Sequence, residues 1–552
     1  MATTAADLLI DTIHRWGVEV VFGLPGDGIL GIVEALQRRR DEIRFIHVKH
    51  EEAAALMACG YAKFTGKIGV CLGTSGPGGV HLLNGLYDAK LDGQPVLALT
   101  GNQFHDLTDT YGQQDVPLDR LFADVAVYNT RIMGPNHVEN AANLACRAAI
   151  TQRGPTHITF PVDLQSRVVK GGASLRNLPH HTASLSAQRG PLPYEGDLRQ
   201  AVEILNSGKK VAILAGRGAL GASAELEFVS EILGAPIVKA FMGKAAVPDD
   251  SPNTTGGLGP LGTAPSRQVM QSCDTLLLVG TSFPYVEYLP KPGKARAIQI
   301  DIDPRRIGLR YPIEVGLIGD AQRTLKELLP LLAPNQDRRF LERAQGGMRE
   351  WFELMEQRAV RTEKPLKPQT VAWELSEVMD ENAIVSCDIG AVAAWWARQI
   401  RAKRGQMHAI SGNMASMGSG LPYAIAAQIA YPNRTSISFQ GDGGFSMFMA
   451  EFTTCVKYQL PVKVIVIKDQ DVWQSKGDYL SSQNSHDFGY ASSPIDLAMF
   501  AKACGATGLV IDDPAHCRMV LEQAFATPGP VLVEARVDTK EKPVPADWSS
   551  HA

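Results

Sequence analysis

Short apolar runs rich in β-branched residues recur along this chain, and each is followed by a stretch with helical periodicity. They include RFIHV, KIGVCLGT, PVLALTG, KVAILAG, TLLLVG, RAIQIDID, AIVSCDIG, TSISFQGDG and KVIVIKD. Strands that are apolar on both sides and alternate with helices are typical of parallel sheets covered on both faces. The sequence therefore predicts an α/β protein built from doubly wound parallel sheets.

Two stretches interrupt this rhythm and divide the chain. Residues 171–196 are rich in Gly, Pro, Ser and His and indicate a linker, whereas residues 332–368 are charged and helical and are then broken by prolines. A chain of 552 residues is also too long for a single hydrophobic core. We predict three α/β domains at roughly 1–170, 190–335 and 360–552.

Charge and composition exclude several classes of partner. The net charge is -4 and no basic block occurs, which argues against nucleic acid or an anionic membrane as a partner. No run of 18 apolar residues is present, and the first residues, MATTAADLLIDTIHRWG, read as an amphipathic helix rather than as a signal peptide. The cysteines are scattered, which suits a reducing compartment. We expect a cytoplasmic protein.

A glycine-rich loop that contains one carboxylate follows the run TSISFQ. In residues 441–444, Gly-Asp-Gly-Gly, the glycines lie between a strand and a helix, where backbone N–H groups can close on a phosphate. Asp442 would repel a bare phosphate, but it fits there if a hard cation bridges the carboxylate and the phosphate. A tight turn without a function is the alternative interpretation of this motif taken alone.

The run KVIVIK ends on charged residues rather than on a surface turn. Lys468, Asp469, Gln470 and Asp471 follow it directly. Because ligands of parallel α/β sheets lie outside the carboxyl ends of the strands, this oxygen-rich end is expected to join Asp442 around a hard cation.

Together, these two strand ends resemble the signature of the thiamine-diphosphate-dependent enzymes, in which Gly-Asp-Gly is followed by a helix and by a strand that ends on an Asn pair. The resemblance covers nearly the whole chain and is closest to the FAD-containing branch with pyruvate oxidases and acetolactate synthases. GPGGVHLLNGLYDAKLDGQPVLALTG, residues 76–101, is particularly similar to the pyruvate oxidases. The resemblance implies a pyrimidine-binding domain, a middle domain of FAD-binding type and a diphosphate- and metal-binding domain.

The resemblance also implies the ligands of the diphosphate and its Mg²⁺. Asp442 matches the metal-binding Asp, Asp469 matches the metal-binding Asn, and the carbonyl of Asp471 matches the third protein ligand. The matching diphosphate contacts are Gly390, Ala391, Gly443 and Gly444. Lys468 takes the place of the first residue of the Asn pair, and we expect it to act as a point charge near phosphate or to pair with Asp469.

The first domain is implied to activate the cofactor. Glu51 matches the catalytic acid, whose carboxyl group bonds N1′ of the aminopyrimidine so that the cofactor's own 4′-nitrogen can remove the C2 proton. Met417 matches the bulky residue under the bent cofactor, and the carbonyl of Ala415 is expected to accept from the 4′-amino group. Gln114 matches a residue that contacts substrate. Positions around the pyrimidine are matched by Pro25, Gly26, Pro77 and Asn84.

The middle domain carries a weaker signal. Gly216, Gly218 and Gly221 form G-x-G-x-x-G after a strand, but no acid lies at the expected ribose distance. VGTSFPYVEYLPK and IQIDIDPRRIG resemble FAD-contacting segments of the same branch. The candidate FAD contacts are Gly216, Arg217, Gly218, Thr281, Asp301, Asp303 and Asp320. In part of this family the middle domain is an empty relic.

The loop after residue 468 departs from the family. Trp473 replaces a Gly, Gln474 and Ser475 replace the large apolar residues expected over the thiazolium, and Asp478 lies where that branch has Glu. These differences predict a more polar pocket wall than in the pyruvate oxidases.

The resemblance implies decarboxylation of a 2-oxo acid, with pyruvate as the expected donor, and oxidation of the carbanion through FAD. One alternative is a carboligase of the acetolactate synthase or acyloin-forming type, and another is a paralogue that binds cofactor without turnover. The family implies a homo-oligomer, at least a dimer and commonly a tetramer, in which the first domain of one subunit faces the third domain of its partner. The last residues, KEKPVPADWSSHA, predict no amphipathic membrane anchor.

Overall fold

The computed structural model describes residues 3–169, 190–468, 495–538, 540, 541 and 543. It contains three six-stranded sheets in which the paired strands run parallel. The predicted fold class, α/β with three doubly wound parallel sheets, is confirmed. Each apolar run that the sequence singled out forms one of the strands.

The first sheet has the strand order β2-β1-β3-β4-β6-β5. Its strands are β1 (Val20–Gly23), β2 (Arg44–His47), β3 (Gly69–Gly73), β4 (Val96–Asn102), β5 (Tyr128–Arg131) and β6 (Pro155–Pro161). Its helices are α1 (Ala5–Arg15), α2 (Leu30–Arg38), α3 (Glu51–Thr65), α4 (Pro77–His81), α5 (Leu83–Leu91), α6 (Leu118–Leu121), α7 (Val138–Gln152) and α8 (Val162–Gln165).

The second sheet has the order β12-β11-β10-β7-β8-β9. This is the Rossmann arrangement, in which the strands of each half follow one another outward from the centre of the sheet. Its strands are β7 (Val211–Ala215), β8 (Ile237–Lys239), β9 (Thr254–Gly257), β10 (Thr275–Val279), β11 (Arg296–Asp301) and β12 (Val315–Ile318). Its helices are α9 (Glu195–Ser207), α10 (Ser223–Leu233), α11 (Ala264–Ser272), α12 (Ala321–Leu328) and α13 (Arg339–Arg358).

The third sheet repeats the topology of the first, with the order β14-β13-β15-β16-β18-β17. Its strands are β13 (Ile384–Cys387), β14 (Met407–Ala409), β15 (Ser436–Gly441), β16 (Lys463–Lys468), β17 (Thr507–Ile511) and β18 (Val531–Arg536). Its helices are α14 (Pro368–Val378), α15 (Val392–Arg398), α16 (Gly420–Ala430), α17 (Asp442–Phe448), α18 (Phe452–Lys457), α19 (Leu497–Ala503) and α20 (Cys517–Ala526).

The amphipathic helix expected at the start of the chain is α1. Thr4 caps it by accepting from the amide of Asp7 at 3.1 Å, and the Asp7 carboxylate accepts from the amide of Thr4 at 2.9 Å, so the two residues form a capping box. The helix buries Leu9, Ile10 and Ile13 against the first sheet. Within the described ranges, no helix is both long and apolar enough to cross a membrane.

The first and third domains share one hydrophobic core. Helix α3 packs on α16, and the closest approach is at Gly60, where an added Cβ would lie 2.8 Å from the ring of Tyr423. The same buried cluster includes Phe22 from β1 and Phe452 from α18. This packing places the carboxyl-end loops of the two similar sheets next to each other.

Candidate active site

Each sheet has a topological switch point, where neighbouring strands are followed by connections that leave in opposite directions. These points lie between β1 and β3, between β7 and β10, and between β13 and β15. Ligands of open α/β sheets bind in the crevice at this position. The residues that the sequence singled out follow these strands, at residues 25–26, 77, 216–218, 281, 390–391 and 441–444.

In the third domain, two helix starts border the switch-point crevice. Gly390 has a φ of 117° and no atom within 4 Å of an added Cβ, and Gly441 has the same open surroundings. Ala391 precedes α15, and Asp442 begins α17 and accepts from the amide of Gly443 at 3.0 Å. Free space beside the first turns of two helices suits a ligand with phosphate groups.

A buried carboxylate that the sequence reasoning missed, Asp388, connects the loops that border this crevice. Asp388, at the end of β13, accepts from the amides of Ile389 at 2.8 Å and Gly418 at 2.9 Å. Burial raises the pKa of Asp388 to about 7, although backbone hydrogen bonds oppose the rise. A Cβ on Gly444 would overlap the Asp388 carboxylate, so the glycine lets α17 approach it. The position of Asp388 in the motif CDIG, two residues before Gly390, is the sequence signal that could have identified it.

The loop before α16 faces the first domain. Ala415 has a positive φ of 54°, and Ser416, between Ala415 and Met417, accepts through its hydroxyl from the side-chain amide of Asn84 at 2.8 Å. Asn84 also donates to Glu52 at 2.6 Å. Asn84 thus links Glu52, the neighbour of the candidate acid Glu51, to the loop that carries the predicted cofactor contacts Ala415 and Met417.

Glu51 is the first residue of α3 and is only 5% exposed. Its Oε2 lies 3.0 Å from Nδ1 of His81, a residue that the sequence reasoning did not single out. The rings of His50 and His81 stack with their centroids 4.4 Å apart, and His50 caps α3 by accepting from the amide of Glu52. The ligand atoms of His50, Glu51 and His81 all lie within 4.8 Å of one another, and within this group the Glu51–His81 pair is close enough to share a proton.

The first-domain switch point brings the remaining pyrimidine candidates together. Gly26 lies against Thr74, and Pro77 begins α4 three residues after Thr74. Gln114, which has a positive φ of 60°, accepts from the hydroxyl of Ser75 at 2.7 Å. Pro25 is exposed beside them. The predicted substrate-contacting Gln and the predicted pyrimidine contacts therefore share one crevice.

The first and third domains of a single chain form this facing arrangement. The resemblance predicted that the first domain of one subunit meets the third domain of its partner. Here the Asn84–Ser416 hydrogen bond, and bonds from Glu451 to the backbone just before Glu51, join the two domains within one chain. The shared core between α3 and α16 explains this, because it holds the two domains face to face.

In the second domain, four of the predicted FAD contacts follow the two strands at the switch point: Gly216, Arg217, Gly218 and Thr281. A Cβ on Gly216 would lie 2.5 Å from Cβ of Thr281, and the amide of Gly218 donates to the carbonyl of Gly280 at 2.9 Å. These glycines bring the ends of β7 and β10 into backbone contact. A side chain at either glycine would prevent this close approach of the two strand ends.

Three predicted FAD contacts already have local partners. Asp301 accepts from the amide of Asp303 at 3.0 Å, and Asp303 accepts from Nε of Arg305 at 2.9 Å. Asp320 caps α12 by accepting from the amide of Arg323 at 3.0 Å. Burial raises the pKa of Asp301 above its ordinary value, whereas the hydrogen bond from Arg305 lowers the pKa of Asp303.

Three arginines converge where the first and second domains meet. Arg217 donates to the carbonyl of Gly93 at 3.4 Å, and a Cβ on Gly93 would lie 3.6 Å from Nη2 of Arg306 and 3.5 Å from the carbonyl oxygen of Arg153. Burial, together with the positive charges of Arg153 and Arg306, lowers the pKa of Arg217 to about 10. Such a concentration of positive charge favours an anionic ligand.

Lys468 has a partner that the sequence did not suggest. Its ammonium group donates to Glu534 of β18 at 2.9 Å and to the carbonyl of Ile495 at 2.5 Å. Its charge is therefore balanced within the third domain by Glu534, whereas the sequence suggested phosphate or Asp469. Asp469 and Asp471, the other predicted metal ligands, and Trp473, Gln474, Ser475 and Asp478 lie outside the described residues.

Three parallel sheets with switch-point crevices, two of them facing each other across a shared core, define a multidomain α/β protein whose crevices suit phosphate-bearing ligands. Comparison with known proteins specifies the class. The family described as "Thiamine pyrophosphate enzyme, N-terminal TPP binding domain" matches residues 3–122, its central domain matches residues 198–328 and its C-terminal TPP binding domain matches residues 388–535.

Curated relatives match over nearly the full chain. YdaP of Bacillus subtilis, whose name states thiamine pyrophosphate and no reaction, is 37% identical over 98% of this chain and 93% of its own. The pyruvate oxidase of Lactiplantibacillus plantarum is 32% identical over 98% of this chain and 90% of its own. The chloroplastic acetolactate synthase of Arabidopsis thaliana is 28% identical over 98% of this chain and 82% of its own. The chain belongs to the thiamine pyrophosphate enzymes, in the group that contains pyruvate oxidase and acetolactate synthase.

Proposed function

We propose that this enzyme decarboxylates a 2-oxo acid, with pyruvate as the expected donor, and passes the electrons to FAD. The observation that carries the proposal is the buried Glu51, which lies at the start of α3 where the crevices of the first and third domains face each other. The similarity to a pyruvate oxidase over almost the whole chain supports this reaction.

Residues at both ends of the crevice suit thiamine diphosphate. The diphosphate would lie on the helix starts at Gly390, Ala391, Gly443 and Gly444, where the Cβ positions of Gly390 and Gly441 meet open space. Asp442, with the sequence-predicted Asp469 and Asp471, would hold Mg²⁺. When bound, the cofactor would supply a carbon nucleophile for addition to the carbonyl carbon of a 2-oxo acid.

The protein's own part is to hold a proton and to orient the cofactor and the substrate. Glu51 would hold a proton at N1′ of the aminopyrimidine, and His81, 3.0 Å from its Oε2, can exchange that proton with solvent because His81 is partly exposed. The carbonyl of Ala415 would orient the 4′-amino group, and Met417 would support the bend of the cofactor. Gln114 would hold the substrate beside them.

FAD would bind the second domain. The Rossmann strand order, the backbone contact of Gly216 and Gly218 with β10, and the arginines Arg153, Arg217 and Arg306 suit a dinucleotide with an anionic diphosphate. Thr281, Asp301, Asp303 and Asp320 remain the predicted contacts to the rest of that cofactor.

A second candidate function is carboligation, in which the same activated donor joins a second carbonyl compound. The similarity to an acetolactate synthase over 98% of the chain favours it. Both candidates share the residues that bind and activate thiamine diphosphate, so the fate of the electrons distinguishes them.

The decisive experiment is a panel of 2-oxo acids with added thiamine diphosphate and Mg²⁺, in which CO₂, flavin absorbance and acyloin products are followed together. An oxidase releases CO₂ and bleaches a yellow protein anaerobically. Acyloin products without bleaching would move the assignment to the carboligase, and cofactor binding with no product would make the protein a non-catalytic paralogue.

We also propose a cytoplasmic homo-oligomer, a dimer at least. All eight cysteines are free thiols, and seven are buried, which suits a reducing compartment. Light scattering of the holoenzyme at the concentration of the assay tests the assembly. A monomer with full turnover would contradict the proposed homo-oligomer.

A further inference from the structure

A third-domain carboxylate reaches across the domain boundary to the backbone just before Glu51. Oε1 of Glu451 accepts from the amide of Lys49 at 2.7 Å and from the amide of His50 at 3.0 Å. Glu451 is 1% exposed, and its Oε2 accepts from the hydroxyl of Thr454 at 2.8 Å. Both carboxylate oxygens therefore have partners, and the two amides leave no donor unsatisfied.

The rest of this backbone segment is also held. The amide of His47 donates to the hydroxyl of Tyr458 at 2.8 Å, and the amide of Val48 donates to the carbonyl of Gly23 at 3.1 Å. Every amide from residue 47 to residue 50 thus has a partner, and three of the four bonds go to third-domain side chains. The segment that leads into Glu51 takes its position from the opposite domain.

Glu451 lies on the continuous stretch that starts at Asp442. Helix α17 covers Asp442–Phe448, a single 3₁₀ turn covers Met449–Glu451, and α18 follows directly. One stretch therefore carries Asp442 at its start and the side chain that holds the Glu51 segment at its end. Movement of α17 relative to the first domain would change the separation of Asp442 and Glu51.

We propose that Glu451 is a positioning residue that sets the location of Glu51 relative to Asp442, so that the acid meets the pyrimidine end of the cofactor while the metal holds the other end. The inference rests on the proposed role of Glu51. A shift of about 1 Å in a group that takes part in proton transfer can cost about 10²-fold in rate. The effect of losing Glu451 should therefore fall on cofactor activation more than on cofactor affinity.

The alternative is that Glu451 is a satisfied core acid with no bearing on chemistry. That view predicts lost thermal stability with normal cofactor activation in the molecules that remain folded. The exchange of the C2 proton of thiamine diphosphate for deuterium separates the two views, because it reports activation by Glu51 without substrate, FAD or turnover.

The test measures this exchange by NMR after acid quench, on full-length protein loaded with thiamine diphosphate and Mg²⁺, together with cofactor affinity and the thermal midpoint. We expect Glu451→Ala to slow exchange at least 10-fold while affinity changes less than about threefold. Glu451→Gln keeps an oxygen that can accept from both amides, and we expect it to exchange within about threefold of wild type.

Two further variants keep the test decisive if Glu451→Ala does not fold. Glu451→Asp keeps the charge but is one methylene shorter, so it should exchange more slowly than Glu451→Gln. Thr454→Val removes a bond to the same carboxylate without touching the two amides, and it should exchange like wild type. Wild-type exchange in Glu451→Ala, or in Glu451→Asp if the alanine variant is unfolded, would overturn the proposal. So would an equal slowing in Thr454→Val.

The same experiment distinguishes this inference from the proposed function. If Glu51→Gln abolishes exchange while all Glu451 variants exchange normally, only the positioning role fails. If Glu51→Gln itself exchanges normally, the assigned acid is wrong and the positioning role fails with it.

Discussion

At the scale of single residues, the candidate acid is distinguished from its neighbour by its surroundings. Glu51 and Glu52 both begin α3, where a helix dipole favours acids. Glu51 is buried against His81, whereas Glu52 is half-buried and accepts from Asn84. Only Glu51 therefore combines desolvation with a partner that can exchange a proton.

Glu51→Gln should retain cofactor but lose about 10²-fold or more in turnover, because the amide keeps the size of the side chain and removes the exchangeable proton. Steady-state rates and a cofactor titration would check this. Glu52→Gln is the matched comparison, and a smaller loss is expected there. Near-normal turnover of Glu51→Gln would show that the acid has been misassigned.

Lys468 and Glu534 form a buried pair whose effect should depend on pH. Burial alone would raise the pKa of Glu534, but hydrogen bonds from Lys468 and Arg536 outweigh it and hold the pKa below its ordinary value of 4.5. The folded state therefore holds this carboxylate ionised more firmly than the unfolded chain does. This stabilisation is present above about pH 4.5 and is lost as the pH falls through the lower folded pKa.

Lys468→Met should lower the thermal midpoint at pH 7 by several degrees. The substitution removes the buried ammonium group that pairs with the fully buried carboxylate of Glu534. The difference from wild type should narrow in scans below about pH 4. Arg536→Met is the control, since Arg536 contacts the same oxygen at 2.9 Å but is 47% exposed, and a smaller effect is expected. An equal loss at pH 7 and pH 3.5 would contradict the linkage to Glu534.

At the scale of elements, helix α17 can take its position because residue 444 is a glycine. Its first turn packs against the end of β13, where the Asp388 carboxylate occupies the space that a Cβ on Gly444 would need. Asp388 is tied in turn to the amide of Gly418, so it connects the start of α17 with the loop before α16. Two loops of the candidate site are thereby fixed by one buried acid.

Gly444→Ala should destabilise the cofactor-free protein and abolish binding of thiamine diphosphate, because α17 or Asp388 must shift. Gly441→Ala is the matched control in the same loop, since its Cβ meets no atom within 4 Å and its φ of -82° suits alanine. Thermal scans without cofactor compare the two variants, and a cofactor titration compares Gly444→Ala with the wild type. A Gly444→Ala protein as stable as Gly441→Ala would refute this account of the packing.

At the scale of the whole molecule, a buried ionic network joins the first domain to the third. Asp92 accepts from Lys63 at 2.7 Å and from the amides of Gly412 and Asn413 at 2.9 Å each. Burial alone would lower the pKa of Lys63, but Asp88 and Asp92 hold it above its ordinary value. The network thus anchors the start of the loop that continues to Ala415 and Met417.

Asp92→Ala should cost about 3–5 kcal/mol, the range for breaking a buried pair, and should weaken thiamine diphosphate binding because the loop loses its anchor. Lys90→Ala, in α5 two residues before Asp92, breaks an exposed pair with Asp124 and should lower the thermal midpoint much less. The thermal midpoint and the cofactor dissociation constant report the two effects. Unchanged affinity in Asp92→Ala would show that the anchor does not position the loop.

The sequence by itself determined the three-sheet plan and the ends of the strands where ligands bind. Strand and helix periodicity are local, so RFIHV and TSISFQGDG could be assigned without knowledge of their neighbours. Glu51, Asp442 and Gly390 could be predicted as site residues for the same reason, because each lies within a short motif at a strand end.

Only the tertiary structure decided which side chains meet. The bonds of Glu451 to Lys49 and His50 join residues about 400 positions apart, and the partner of Lys468 lies on another strand. His81 and Asp388 lay inside quoted motifs, yet their roles depend on what faces them. The facing of the first and third domains within one chain follows from the packing of α3 on α16. Such contacts depend on the shape of a shared core, which no local pattern encodes.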